Sequence, residues 1–264
     1  MALLSIITVN LNNYKGLKKT MESVFSQTFK EFEYIVIDGW SNDGSKDLIM
    51  EHEDKINYWV SESDTGIYEA MNKGIEVAKG KYCLFLNSGD YLYNKYVLHD
   101  LSLSILTADF VYGDTMTENN GQMKYKITSP ESISTVFLMV NCIVHQSQLI
   151  KRDLFLKFGM YSNSYLINSD YEFTVKMFFN GSVTFKHIPV IISVYDLSGI
   201  SSKLQNKRLL SEERKIIHKL HFPKWLFFVY YTYINIRSWV NKIPFLKRVI
   251  ARFNKLIVRL VNSI

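Results

Sequence analysis

Short apolar runs alternate with stretches in which apolar residues recur every third or fourth position over roughly the first ninety residues. Leu3 to Val9 and Phe32 to Ile37 are rich in aliphatic and β-branched residues and read as buried strands. Between them Leu17, Met21, Val24 and Phe25 keep helical spacing and predict a helix of about three turns. A second helix is expected to start at Asp43 or Ser45. Ile56 to Val60 predicts a third strand. Ile67, Met71, Ile75 and Ala78 predict a helix that stops at Gly80, as helices commonly do at a glycine. Tyr82 to Leu86 is then a strand too short for a helix, closed by Asn87-Ser88-Gly89-Asp90. This order is that of a doubly wound α/β fold with a mostly parallel sheet. Right-handed crossovers bring the carboxyl ends of its strands to one edge, where ligands of such sheets bind. Those ends carry Asn10, Asp38, the loop to Asp64, and Asp90.

Beyond Asp100 the pattern is looser. Leu101, Ile105 and Leu106 suggest a helix, and Asp109 to Tyr112 a strand ending at Gly113-Asp114. Glu118-Asn119-Asn120-Gly121 reads as a hairpin turn. The apolar stretch Ile133 to Val144 leads to His145-Gln146, and Asn168-Ser169-Asp170-Tyr171-Glu172 precedes the helical pattern of Phe173, Val175 and Met177. One or two strands follow within Gly181 to Val194, then a loop at Ser198 to Ser202 and a charge-dense helix over Lys203 to Lys215. Taken singly, each loop acid is a helix cap or turn residue, Asp170 included, and a lone histidine such as His145 is a structural residue. Jointly, carboxylates on one sheet edge suit a ligand rich in hydroxyls, one bearing a base, or one chelating a metal.

Charge changes the picture at the carboxyl end. Through Glu213 there are 20 Lys/Arg against all 25 acids, and from Arg214 onward 11 Lys/Arg and no acid. Trp225 to Ile236 is uncharged but short of the roughly 20 residues a membrane span needs. Phe245, Leu246, Val249, Ile250, Phe253, Leu256, Ile257 and Leu260 fall on one helical face, with Lys and Arg on the rest. That is the pattern of an interfacial anchor on an anionic membrane, the alternative being a helix that packs on the main domain with its basic face in solvent. Nucleic acid is not the expected partner, because the aromatics cluster with aliphatic residues and do not interleave with Arg and Lys. Residues 1–202 are expected to form the main domain, divided at about 113/114, and 203–264 a basic helical tail. Cys83 and Cys142 read as reduced core residues, and the amino terminus has no secretory signature. The phosphate signatures G-x-x-x-x-G-K-[ST] and G-x-G-x-x-G are missing, which excludes a P-loop NTPase and argues against a dinucleotide-binding dehydrogenase.

Several ordered motifs carry a family resemblance. Ser5-Ile6-Ile7-Thr8-Val9, Ser23-Val24-Phe25-Ser26-Gln27-Thr28 and Ile35-Val36-Ile37-Asp38-Gly39 with Ser41-Asn42-Asp43-Gly44-Ser45 resemble the amino-terminal half of family 2 glycosyltransferases of GT-A fold. Asp64 to Gly74 and Phe85-Leu86-Asn87-Ser88-Gly89-Asp90 resemble a branch found in bacterial colanic acid, O-antigen and capsule assembly. The resemblance is dense over residues 3–95 and loose over 140–202.

It implies inverting transfer of a sugar, hexosyl or N-acetylhexosaminyl, from a nucleoside-diphosphate sugar to a hydroxyl of a glycan or lipid-linked acceptor. Asp38 then meets the nucleotide base, and Asp64 and Asn72 help hold the nucleotide. Asp90 holds a divalent cation, Mn or Mg, against the diphosphate, and Asp170 is the general base, with Glu172 as substitute. Thr8, Asn10, Asn87 and His145 complete the expected substrate-binding set, and the Ser198–Ser202 loop is expected to close over the diphosphate. Two departures stand out: the acidic motif keeps one carboxylate, and Met71 stands where the family commonly has arginine. The expected location is the cytoplasmic face of the cell membrane, as a peripheral protein. Two other classes are weighed. A sugar-nucleotide-forming enzyme would need a Gly- and Arg-rich first loop, which Asn10 to Gly16 lacks. A non-catalytic, membrane-docked nucleotide-sugar or glycan-binding protein is the remaining alternative.

Overall fold

The computed structural model describes residues 2–103, 108–199 and 206–241. The first four strands are β1 (Leu4–Asn10), β2 (Phe32–Asp38), β3 (Tyr58–Ser61) and β4 (Tyr82–Phe85). Helices α1 (Tyr14–Phe25), α2 (Ser45–Glu51) and α3 (Ile67–Val77) connect them. They pair in parallel in the order β3-β2-β1-β4. Both faces of β1 are covered, so it is buried at every position, and Leu4 and Ile6 join Leu17, Met21 and Val24 of α1 in the core. In register, Asn10 of β1 lies beside Asp38 of β2, and Asp38 beside Ser61 of β3. One polar row thus crosses three strand ends.

The second half is mixed. After β5 (Tyr91–Leu92) and α4 (Val97–Ser102) come β6 (Phe110–Asn119), β7 (Gln122–Ile127), α5 (Thr135–Val140), β8 (Gln148–Lys151), α6 (Arg152–Phe158), α7 (Ser169–Asn180) and β9 (Phe185–Asp196). The nine-stranded sheet continues β4-β8-β6-β9-β5, with β7 beside β6. β8 runs antiparallel to β4 and β6, whereas β6 and β9 are parallel. The turn expected at Glu118–Gly121 is tighter: Asn120 and Gly121, both at positive φ, join β6 to β7.

Two glycines read as stops serve close approach. α3 ends at Val77, with Ala78 already extended, and a Cβ on Gly80 would lie 2.5 Å from Ser5 Oγ and 2.6 Å from the Leu4 backbone. β6 runs through Gly113, where a Cβ would lie 2.6 Å from the Val190 carbonyl. The Asp114 carboxylate beyond it takes Lys126 at 2.7 Å and the Ser129 N–H at 2.9 Å. Cys83 is buried, which pushes its thiol up to about 12, whereas Cys142 is exposed and not the core residue expected.

The chain divides into two compact units, Met1–Ile133 with Cys142–Glu213, and Ser134–Asn141 with the chain from Arg214. The break at Glu213/Arg214 falls later than the expected 202/203. The second unit holds the end of α8 (Lys207–His221) and α9 (Lys224–Asn241), separated at Pro223, which cannot continue a helix. His218 is buried there against Tyr231, whose hydroxyl lies 2.9 Å from Nδ1, and burial first, then Arg214, push the imidazole down to about 4. Trp225, Phe228 and Val229 are exposed. No helix among the described residues is long and apolar enough to cross a membrane. The amphipathic pattern of residues 245–260 and most of the Ser198–Ser202 loop lie outside the described residues.

Candidate active site

Three groups of side chains gather at the sheet edge. In the first, Asp38 is fully buried and accepts four hydrogen bonds. Asn10 Nδ2 (2.8 Å) and Ser41 Oγ (2.6 Å) donate to Oδ1, and the Ser41 N–H (3.0 Å) and Ser61 Oγ (2.7 Å) donate to Oδ2. Asn10 Oδ1 is buried without a partner. Asp64 caps its own turn through the Gly66 N–H at 3.0 Å, and its Oδ2 would lie 2.8 Å from a Cβ on Gly39, just past β2. Burial, with Asp38 and Glu69 adding to it, holds the Asp64 carboxyl above its ordinary range. Next to Gly39, Trp40 has φ 66° and an exposed ring. Left-handed backbone is a strained setting for so bulky a residue.

The second group is the end of β4. Helix α1 braces it: Asn13 Nδ2 donates to the Ser88 carbonyl at 2.8 Å, and Thr20 Oγ1 donates to the Asp90 carbonyl at 2.6 Å while accepting from the Gly89 N–H at 3.0 Å. Gly89 takes φ 109°, which a side chain would strain. The Asp90 carboxylate is buried, accepting from Gln146 Nε2 at 2.7 Å and from the Asp196 N–H at 2.9 Å. Burial drives it up to about 6; the two hydrogen bonds pull the other way, and the nearby Asp196 charge adds to the rise.

The third group is the start of α7. Asp170 Oδ2 lies 3.1 Å from His145 Nδ1, and Oδ1 lies 2.8 Å from the Tyr68 hydroxyl, whose single proton is shared with the Ile167 carbonyl at 2.5 Å. Burial alone would raise the Asp170 carboxyl. The His145 hydrogen bond and charge, then Tyr68, outweigh it and hold the group below its ordinary range. Conversely, burial disfavours the imidazolium of His145, but Asp170 holds it above its usual value. The loop into α7 is fixed by buried Glu213, which accepts from the N–H groups of Leu166 (2.6 Å), Ile167 (3.1 Å) and Asn168 (3.1 Å) and from Asn168 Nδ2 (3.0 Å).

Groups two and three meet. Asn87 Nδ2 lies 3.1 Å from His145 Nε2, and His145 and Gln146 share one short 3-10 turn, His145–Ser147. Of the expected residues, Asn87, Asp90, His145 and Asp170 therefore come together, with Asn10, Asp38 and Asp64 as a neighbouring row. Two lie apart. Thr8 is fully buried and its hydroxyl accepts from Tyr34 OH at 3.0 Å, and Asn72 pins the 161 loop through both polar groups of the Tyr161 backbone (2.8 and 3.0 Å). Sequence reasoning missed Tyr68, Gln146, Asp196 and Glu213. For Asp196 the only hint was its place just ahead of the Ser198 loop.

Among the described residues no group of three or more His, Cys, Asp and Glu side chains could hold a metal ion. Asp196 stands beside Asp90: its N–H donates to Asp90 Oδ1 at 2.9 Å, its charge acts on the Asp90 carboxyl, and its Oδ2 would lie 3.2 Å from a Cβ on Gly89. Magnesium sites are commonly one or two carboxylates completed by substrate phosphates and water, so this pair fits such a cation. Burial is the main cause of the raised Asp90 carboxyl, and the Asp196 charge adds to it.

Known proteins bear on this geometry. A PGL/p-HBAD biosynthesis glycosyltransferase of Mycobacterium bovis is 27% identical over 213 residues, 78% of this chain and 82% of that protein. Among solved structures, Staphylococcus aureus TarS residues 1–349 superposes with TM-score 0.63 at 18% identity, covering 82% of this chain and 64% of that one. This chain thus spans less than two thirds of that structure. A mannosyltransferase from Pyrobaculum calidifontis, solved with GDP-Man and Mn²⁺, gives 0.59 at 14% identity, covering 97% of this chain and 80% of that one. Both superpositions agree with the GT-A fold. The profile described as Glycosyl transferase family 2 matches residues 5–160, more than half of the chain, and to that family the protein belongs.

Proposed function

We propose that this protein transfers a sugar, with inversion, from a nucleoside-diphosphate sugar to a hydroxyl of a glycan or lipid-linked acceptor in bacterial surface polysaccharide assembly. The observation that carries the reading is Asp170: a half-buried carboxylate held ionised at the start of α7 and joined through His145 to the end of β4. Asp170 takes the proton of the acceptor hydroxyl, whose oxygen attacks the anomeric carbon. The bond from that carbon to the diphosphate breaks, and its electron pair leaves with the diphosphate. Asp90 and Asp196 are the residues to hold Mn²⁺ or Mg²⁺, which would supply charge neutralisation at the departing diphosphate. Asn10, Asp38 and Asp64 would face the nucleoside end.

TarS has been solved with UDP-GlcNAc and with UDP, and the archaeal mannosyltransferase with GDP-Man and Mn²⁺. A hexosyl or N-acetylhexosaminyl donor on either nucleotide is in keeping with that range. Exposed Trp225, Phe228 and Val229, with the 11 Lys/Arg from Arg214 onward, favour peripheral attachment to the anionic cytoplasmic face of the membrane.

The test is a thermal-shift panel of UDP-, GDP- and dTDP-sugars with Mn²⁺, since a ligand that binds only the folded chain raises its stability with affinity. One donor should shift the melt and be slowly hydrolysed. Binding without hydrolysis would favour the non-catalytic alternative. Trp225→Ser with Phe228→Ser should weaken sedimentation with anionic liposomes, and unchanged sedimentation would remove these residues from the membrane reading.

A further inference from the structure

Asn87 and His145 stand, by family resemblance, among the substrate-binding residues, but the geometry gives them other work. Each ring nitrogen of His145 already has a protein partner: Asp170 Oδ2 at 3.1 Å on Nδ1 and the Asn87 amide at 3.1 Å on Nε2. A neutral imidazole carries one N–H and one lone pair, and its tautomer follows from what each side offers. Asp170 offers only acceptors, so Nδ1 must carry the proton. Asn87 presents Nδ2–H to the remaining lone pair. The turn that holds the ring is itself fixed, with Ser147 Oγ bonded to Thr115 Oγ1 (2.7 Å), Ser193 Oγ (2.8 Å) and the Asp114 carbonyl (3.0 Å).

We propose that His145 is the positioning residue of this site: protonated on Nδ1 and locked by Asn87, it orients the Asp170 carboxylate toward the acceptor hydroxyl. The role rests on the reading of Asp170 as general base. With Tyr68 on Oδ1 and His145 on Oδ2, both oxygens of Asp170 are aimed by donors from different elements, α3 and the 145–147 turn. The carboxylate cannot rotate without breaking one of them. Asn87 also explains why an amide stands at the end of β4. Its Oδ1 is buried without a partner, so turned over it can accept from Nε2–H when the ring is charged. An amide serves both states of the ring; a carboxylate or an alkyl group serves one or neither.

The test uses the full chain labelled with ¹⁵N-histidine at about pH 9, above the usual histidine range, with the His145 signal identified by its loss in His145→Asn. The neutral ring should carry its proton on Nδ1, and Asp170→Ala should move that proton to Nε2 or leave the two forms averaging. An Nε2–H ring in the unsubstituted protein, or a ring indifferent to Asp170→Ala, overturns the proposal. A second readout uses hydrolysis of the donor that gives the largest thermal shift. An asparagine amide reaches where Nδ1 was and a glutamine amide where Nε2 was. His145→Asn should therefore keep the rate constant within about tenfold, while His145→Gln loses roughly a hundredfold, the scale of a misplaced catalytic group, with donor KM nearly unchanged in both. Equal losses, or losses confined to KM, defeat it. Should Asp170→Asn leave hydrolysis intact, the base assignment fails while the NMR result still decides how the ring is held.

Discussion

The end of β4 and the start of α7 each withdraw one carboxylate from solvent, Asp90 fully and Asp170 in part, and neighbouring residues of one turn hold them, yet their acidities part. Asp90 is met by the Gln146 amide and a backbone N–H, with Asp196 close by, and is driven up to about 6. Asp170 is met by an imidazole and a phenol and is held below its ordinary range. Burial pushes both upward, so the partners decide the outcome. A carboxylate raised by burial beside a second acid gains from a cation, while one held ionised at neutral pH is ready to accept a proton. Environments that drive two acids apart assign their roles.

The largest expected effect breaks the comparison on the α7 side. Asp170→Asn should lower turnover by about a thousandfold, within the range general base catalysis supplies, while leaving nucleotide binding nearly intact. Turnover surviving within about tenfold would move the base elsewhere. Asp90→Ala should abolish the dependence of nucleotide binding on Mn²⁺, and calorimetric isotherms still separated by the metal would refute its role. Glu213→Ala sharpens the contrast, since it strips the acceptor from three N–H groups of the loop carrying Asp170, that of Asn168 buried. A loss of about 2–3 kcal/mol in unfolding free energy, with nucleotide affinity retained, is expected in urea melts. If nucleotide binding falls equally, the two sides are not separable.

The smallest effect is in pH. A carboxyl raised in the folded state binds its proton more tightly there than when unfolded. The stability this gives is full below the unfolded value near 3.8 and is lost as pH rises through about 6. Mn²⁺ competes for the ionised form. The Mn²⁺-induced rise in Tm should therefore be slight at about pH 5 and grow as the pH passes about 6. A shift independent of pH would place the cation away from Asp90.

The donor side was legible because its logic is local. Each strand is an apolar run ending in a polar residue, and one crossover rule brings Asn10, Asp38 and Asp90 to the same edge. The second half of the sheet depends on pairings distant in sequence. Gly113-Asp114 reads as a stop, but β6 continues because Val190 and Ile192 need the space beside Gly113, and because Lys126, Ser129 and His187 satisfy Asp114. Asp196 reaches the site only through the β6–β9 register that sets it opposite Glu118. His145 stood out in the sequence only through the family resemblance, and its partners, from strand end and helix start, were not visible. Thr8, in a matching motif, belongs to the Tyr34 packing.

That His145 and Gln146 are consecutive has a consequence for anyone rebuilding this enzyme. The peptide bond between them fixes the phase between the Asp170 and Asp90 carboxylates: a one-residue insertion would face either the imidazole or the amide the wrong way. If Asp170 is the base proposed above, residues 143–148 must move as a block in any chimera, together with Asn87 and Asp90, and one cut inside that block should bind its donor and fail to use it.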